Sequence, residues 1–301
     1  MHIGVQAALS LPSKRPGLTS WVLLGCVIPD LPWVLKRVLS AVSGLDGTLL
    51  ALYAIVQSTL LFSVVLALAV SLLARSPLSV WLVVSANCLV HLLLDAIEIK
   101  PGNGVHLFAP MSWELVNFGL FWPEDWQIVV LSGLGIAVAL LLTFNADRYL
   151  ARPQICLDRR RVLAAVAVGV LYFIAPLALL DRPLEADNRY LQTLSEEGQR
   201  TGKIVRFDRD RLAYRDGRVI VVTGTGAEFA LVGEALPTNG VVSLEGRFID
   251  QSTIEVTMIH VNRSAFRDWA SIAGLLFVGI IWSRHLAQYW RAERAARALR
   301  Q

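Results

Sequence analysis

The chain has 301 residues, of which 55% are hydrophobic and 17% charged, with a formal net charge of +4. A soluble domain carries about 25% charged residues, so this deficit excludes an ordinary soluble enzyme and implies an integral membrane protein. The positive charge is local: five arginines fall between Arg148 and Arg161 and five between Arg284 and Arg300. Such clusters mark the cytoplasmic flanks of membrane spans. They do not form the aromatic-rich basic face that nucleic-acid binding would need.

Residues 2–11 are apolar, but at the helical rise they reach only about 15 Å, too short to span. They lack the basic start of a cleavable leader. A turn with Lys14 and Arg15 leads into a second short apolar segment, 18–28. The pair is expected to form a hairpin dipping part-way into the bilayer, which would bring His2 and Asp30 to one depth. Pro29, Asp30 and Pro32 interrupt the longer run 18–42. Irregular backbone at that depth is tolerated only under cover of protein or water. Runs near the spanning length of about 20 residues follow at 49–74, 78–97, 126–145, 162–180 and 266–283, giving five full spans and a broken one. Placing both arginine clusters in the cytoplasm puts 99–125 and 181–264 outside, with His91 and Asp95 in the outer half of their span. Lys36 and Arg37 fit that scheme less well.

Residues 111–125 mix Trp113, Phe118, Phe121 and Trp122 with acids, as an interfacial aromatic belt does, or a lip for an amphiphilic substrate. Residues 181–200 read as a polar connector. From 202 to 262 the pattern changes to short alternating runs, with turn signals at 215–218 and 238–240. Five or six strands in about 60 residues imply a small closed barrel, with the oligonucleotide/oligosaccharide-binding (OB) type as first choice. No aromatics are arrayed along those strands to stack bases, so a packing, sensing or protein-partner role is expected. After Arg284, arginine every three or four residues implies a basic amphipathic helix on the inner leaflet. The expected organisation is a helical membrane domain over 1–180, an extracytoplasmic OB-like β-barrel over 181–264, and a last span with a basic cytoplasmic tail over 265–301. Three cysteines (Cys26, Cys88, Cys156) without paired spacing argue against a disulfide framework.

The chemistry concentrates in 87–110. Asn87, His91 and Asp95 repeat every four residues, so they share one helix face, with Glu98 a turn further on. A carboxylate inside a membrane helix costs roughly 2.5–3.5 kcal/mol on insertion scales, and such residues mark functional interiors. The helix then breaks at Pro101-Gly102-Asn103-Gly104, and His106 follows. His2, Asp30, His91, Asp95 and His106 together make a nitrogen and carboxylate set suited to zinc, or to manganese if oxygen-rich, with Glu98 as a candidate general base. Each has an ordinary alternative: a polar terminus, a helix cap, a hydrogen-bonded pair, an interfacial loop. Their shared expected depth is what favours an ion.

His2, Pro29-Asp30, His91-x-x-x-Asp95 and Gly104-x-x-x-x-x-Pro110 with Ser112 resemble the predicted membrane-bound metal-dependent hydrolases of bacteria, over residues 1–145. The resemblance implies metal-assisted hydrolysis. A fainter likeness of His91-x-x-x-Asp95 with a later histidine to zinc-dependent phospholipase C implies phosphoester hydrolysis, so the expected reaction is hydrolysis of an ester or phosphoester, lipid-linked, in the outer half of the membrane. The chain departs from the family pattern at Leu31-Pro32-Trp33, where a second acid or histidine stands, and at Gln57, where the family has histidine. One site of a two-metal centre is thus absent unless His106 replaces it. The rival reading is a non-catalytic membrane scaffold whose β domain binds a protein partner. An ion-coupled carrier ranks below both, since no inverted repeat is visible.

Overall fold

The computed structural model describes residues 2–10, 17–145, 150–186, 193, 196–262 and 266–298. Lys14, Arg15, Arg148, Arg300 and part of the 181–200 connector lie outside the described residues. Helix α1 (His2–Ser10) is followed by α2 (Leu18–Gly25), a 3-10 turn at Ile28–Asp30, and α3 (Leu31–Val42). Then come α4 (Gly47–Gln57), α5 (Leu60–Ser71), α6 (Pro77–Ala96), α7 (Trp126–Phe144), α8 (Arg159–Ile174) and the single turn α9 (Arg182–Glu185). Last is α10 (Phe266–Ala298). Among the described residues, five stretches are long and apolar enough to cross a membrane: Leu18–Val42, Pro77–Ala96, Trp126–Phe144, Arg159–Glu185 and Trp269–Ala292.

The expected interruption of 18–42 is the 3-10 turn, which leaves that stretch long enough to span. The sharp break falls elsewhere. Residues 49–74 do not form the expected continuous span: α4 and α5 meet at 68°. Gln57-Ser58-Thr59 is the cause. The Ser58 hydroxyl donates to Ile55 O at 3.0 Å and the Thr59 hydroxyl to Val56 O at 2.8 Å, so side chains take carbonyls that a continuing helix would use. At the other end, α10 corrects the expectation of a separate basic tail helix. It runs unbroken past Arg284 because residues 280–298 contain neither glycine nor proline.

Small residues let the membrane helices approach closely, as they do where lipid supplies no hydrophobic drive. Gly4 of α1 lies directly on Gly135 of α7: a Cβ built on Gly4 would stand 2.0 Å from the Gly135 Cα. Gly25 at the end of α2 sits as tightly on α6, its Cβ position 2.8 Å from both Val84 O and the Asn87 Cβ.

The β domain follows the alternating pattern. Strands β1 (Ile204–Arg215), β2 (Arg218–Val222), β3 (Glu228–Val232), β4 (Gly240–Phe248) and β5 (Thr253–Asn262) hydrogen-bond in the order β1-β2-β3-β5-β4, and β1 also pairs with β4, closing the ring. All pairs are antiparallel except β3 with β5. The β1–β2 turn places Asp216 at φ 51° and Gly217 at φ 78°, the two left-handed positions of a type I′ hairpin. Val205, Phe207, Val221, Val242, Leu244, Phe248 and Ile254 fill the interior. Phe207→Ala is expected to destabilise this domain by about 3–5 kcal/mol, read as earlier loss of the β signal in circular-dichroism melts.

Loop 97–125 joins the two parts. It folds back over the C-terminal end of α6, with Phe118 N donating to Ala96 O at 2.7 Å and Leu120 N to Ile97 O at 2.8 Å. Trp122 stacks on His260 of β5, ring centroids 3.7 Å apart, and the Glu124 carboxylate lies 3.5 Å from both Arg209 and His260. Lys36 of α3 reaches Gly224 O at 3.5 Å. The β domain therefore sits at the C-terminal end of α6. The arginines gather at the other end, where Arg75 N donates to Gln154 O at 3.0 Å and Arg161 donates to Ala74 O at 2.7 Å.

Candidate metal centre

Four of the residues singled out from the sequence meet. α6 carries His91 and Asp95 one turn apart. The 3-10 turn delivers Asp30, and α1 delivers His2 from across the bundle. His91 Nε2 lies 3.4 Å from Asp30 Oδ1 and 3.4 Å from Asp95 Oδ2, and His2 Nε2 lies 3.8 Å from Asp95 Oδ1. The two imidazoles stack with centroids 4.1 Å apart. Among the described residues, His2, His91 and Asp95 form a group whose ligand atoms all lie within 4.8 Å of one another. Asp30 joins it through His91.

Neighbouring groups fix this arrangement. His91 Nδ1 is 2.7 Å from Cys26 O. A carbonyl only accepts, so Nδ1 carries the hydrogen and Nε2 is left to face the carboxylates. Gln6 lies one turn beyond His2 on α1. With its amide oriented to satisfy both ends, it donates to Asn87 O at 3.3 Å and accepts from His91 N at 3.2 Å, which fastens α1 to α6 beside the imidazole pair. Asn87, expected on the polar stripe, serves in this fastening.

The fit to an ion can be tested on the spacing. Zinc bonds of about 2.0–2.1 Å in a tetrahedron put neighbouring ligand atoms about 3.3–3.4 Å apart. The two 3.4 Å separations around His91 Nε2 match that edge. They exceed the roughly 2.7–2.9 Å of a charge-assisted hydrogen bond, and His91 Nε2 makes no hydrogen bond despite complete burial. The donor types suit zinc, and manganese less well for want of oxygens; the spread of up to 4.8 Å among His2, His91 and Asp95 is wider than that edge and would have to contract around an ion.

Lys100 is the residue that the sequence did not single out. Its ammonium lies 2.7 Å from Asp95 Oδ1 and 3.2 Å from Glu98 Oε2, and all of Lys100 is 7% exposed. Glu98, the candidate base, is thus an ion-pair partner within the same network. The signal was available: a lysine two residues after Glu98 and five after Asp95, at the end of an apolar helix, has carboxylates within reach. His106 does not join the group. Its Nδ1 donates to Trp113 O at 2.7 Å, and its Nε2 has no protein partner. Gln57 donates to the Tyr53 hydroxyl at 3.1 Å and to Tyr172 O at 3.3 Å.

A cavity of about 170 Å³ runs from the centre to the β domain, lined by Asp95, Pro29, His106, Lys36, Asp208 and Asp210 among others. Asp210 is 7% exposed and its Oδ1 accepts from Gly224 N at 2.8 Å. Burial, countered in part by the Gly224 amide, pushes the Asp210 carboxyl up to about 7; the Asp208 carboxylate adds to the rise and Lys36 opposes it. The folded value lies above the ordinary 3.8. Between those limits the folded state holds a proton that the unfolded chain has lost, so stability falls as pH rises. The expected slope is about 1.4 kcal/mol per pH unit at most. Asp210→Asn should flatten it in melts from pH 4.5 to 7.

Comparison of the chain with family models, with curated proteins and with solved structures gives no match.

Proposed function

We propose that this chain is a membrane-embedded, metal-dependent hydrolase of an ester or phosphoester carried on a lipid or lipid-linked molecule. One observation carries the reading. A buried imidazole with Nδ1 committed to Cys26 O turns its Nε2 toward two carboxylates at 3.4 Å, an arrangement that a metal cation between them would satisfy. His2, His91 and Asp95 would hold the ion, with Asp30 beside them, zinc ahead of manganese. Such an ion supplies a Lewis acid that polarises a carbonyl or phosphoryl oxygen and acidifies water at neutral pH. The chain's own part is to fix the ligands: Cys26 O orients His91, Gln6 ties α1 to α6, and Lys100 holds Asp95. Ligating histidines are commonly oriented through their second nitrogen in this way. The resemblance over residues 1–145 points to the same chemistry.

The arginine-bearing end would face the cytoplasm by the positive-inside rule, placing the C-terminus there and the β domain outside a bacterial cytoplasmic membrane. The closed order β1-β2-β3-β5-β4 with a parallel β3–β5 pair supports an OB-type barrel.

The Lys100 contact favours a second reading, a non-catalytic scaffold. An ammonium 2.7 Å from Asp95 together with a protonated His91 would compensate the carboxylates without metal, leaving the β domain to bind a protein partner. Elemental analysis of the purified protein decides. Stoichiometric zinc or manganese supports the hydrolase; metal-free protein after purification with added zinc removes it.

A further inference from the structure

The charge rule puts loop 97–125 outside the bilayer, yet part of it packs at membrane depth. Val105 and Val116 exchange both backbone hydrogen bonds, at 3.1 and 2.9 Å, so residues 105–116 form a hairpin. Leu107 joins the cluster of Leu92, Ala96 and Val105, which also takes in Leu60 of α5. Trp113 packs on the cluster of Val56, Phe62 and Tyr172. The helices give the depth of these partners. The end of α5 and the start of α8 meet at the arginine-bearing end, where Cys156 N donates to Leu73 O at 2.8 Å and Arg161 reaches Ala74 O; α6 starts there too, at Pro77. At 1.5 Å per residue, Leu60, Tyr172 and Leu92 stand about 17, 20 and 23 Å along their helices from that end, and helix tilt only lowers them. A hydrocarbon core is about 30 Å thick, so all three fall short of its far boundary.

The hairpin is built for that depth. Residues 104–113 contain no lysine, arginine, aspartate or glutamate. Irregular backbone is tolerated inside a bilayer only where the protein satisfies its polar groups. Here Met111 N and Ser112 N donate to Phe108 O at 3.0 and 3.1 Å, Pro110 has no N–H, and His106 Nδ1 donates to Trp113 O. The first charged residue after the tip, Glu114, lines a groove shared with Arg206 and Glu245 of the β domain. At the tip, Phe108 is 54% and Met111 84% exposed. Next to Tyr172 on α8, Phe173 and Ile174 are exposed apolar side chains too, so acyl chains are already the medium required beside Trp113. We infer that the 105–116 hairpin re-enters the bilayer from the side of the β domain and lodges Phe108 and Met111 among the acyl chains of that leaflet. Val105 and His106, at its base, line the cavity that Asp95 also lines, so the lipid-facing tip and a wall of that cavity belong to one short hairpin. The inference rests on the membrane reading of the chain and needs neither an ion nor a hydrolytic activity.

The test uses the full-length protein, treated with EDTA, in phosphatidylcholine nanodiscs, so that failure of the hydrolase reading leaves the result untouched. Cys26 and Cys88 are buried; with Cys156→Ser as background, bimane is attached at Phe108→Cys or at Met111→Cys. Both side chains are exposed, so neither variant should disturb folding, and each reports without the other. Val170→Cys, exposed on α8, and Asn239→Cys, in the exposed β3–β4 turn, serve as references. Dibrominated phosphatidylcholine is expected to quench bimane at both tip positions about as strongly as at Val170, whereas aqueous iodide should quench them far less than at Asn239. Iodide quenching equal to that at Asn239, with none from the brominated lipid, would put the tip in water and overturn the insertion. Protection from both quenchers would mean that a protein, such as a second copy of this chain, covers the tip, and would overturn it equally. Loss of lipid quenching at Val170 as well would overturn the membrane placement beneath the proposal, a failure distinct from that of the hairpin alone.

Discussion

Replacing His91 by alanine is expected to cut zinc affinity on the order of 10²- to 10³-fold, since apparent structural-zinc free energies of about 10–16 kcal/mol are shared among three or four ligands. Hydrolytic activity should vanish with the metal. Asp95→Ala should do the same, because Asp95 meets both imidazoles. Lys100→Met is the informative companion. Its ammonium, 2.7 Å from Asp95 Oδ1, would compete with an ion there, so removing it should make the apo protein less stable while enlarging any rise in melting temperature on adding zinc. Ligands that bind only the folded state stabilise it by mass action, and that increment is measured by melting with and without zinc. If zinc raises the melting temperature of neither wild type nor Lys100→Met, the cluster is charge-compensated without metal and the scaffold reading stands.

Much of this arrangement was legible because polar residues inside apolar runs are conspicuous. His91 and Asp95 advertise themselves by their i, i+4 spacing in a 20-residue apolar helix, and Pro29-Asp30 by breaking another. The β strands were equally visible, since alternation and turn residues such as Asp216-Gly217 are local signals. What escaped notice depends on contacts remote in sequence. The bend at Ser58-Thr59 arises from two hydroxyls capturing carbonyls, which apolar-run counting ignores. The continuity of β1 cannot be read from alternation, because Arg209 adopts φ 59° and the register with β4 shifts between Phe207 and Asp210, a bulge among charged residues. The role of Gln6 could not be read from its neighbours, because its partners lie on α6. Lys36 and Arg37 fit the charge rule poorly for a related reason: Lys36 is committed to Gly224 O and the acidic wall of the β domain, not to a membrane flank.

Gly4→Ala should be the most damaging substitution outside the ligands. The added methyl would stand 2.0 Å from the Gly135 Cα and 2.6 Å from its N, whereas non-bonded carbons rest at about 3.5–4.0 Å. Both obstacles are backbone, so no rotamer change relieves them, and α1 has to withdraw from α7. His2 lies two residues away on the same helix, and its contact with Asp95 is already 3.8 Å. Displacements of about 1 Å at a reacting centre cost on the order of 10²-fold in rate, and zinc affinity should fall by a comparable factor even though every candidate ligand is still present. Gly133→Ala, two residues from the contact on α7, provides the control: nothing lies within 4 Å of its Cβ position. Zinc affinity should be unchanged there. Equal zinc affinities for the Gly4 and Gly133 variants would mean that α1 does not deliver a ligand, leaving His91, Asp95 and Asp30 to act without His2.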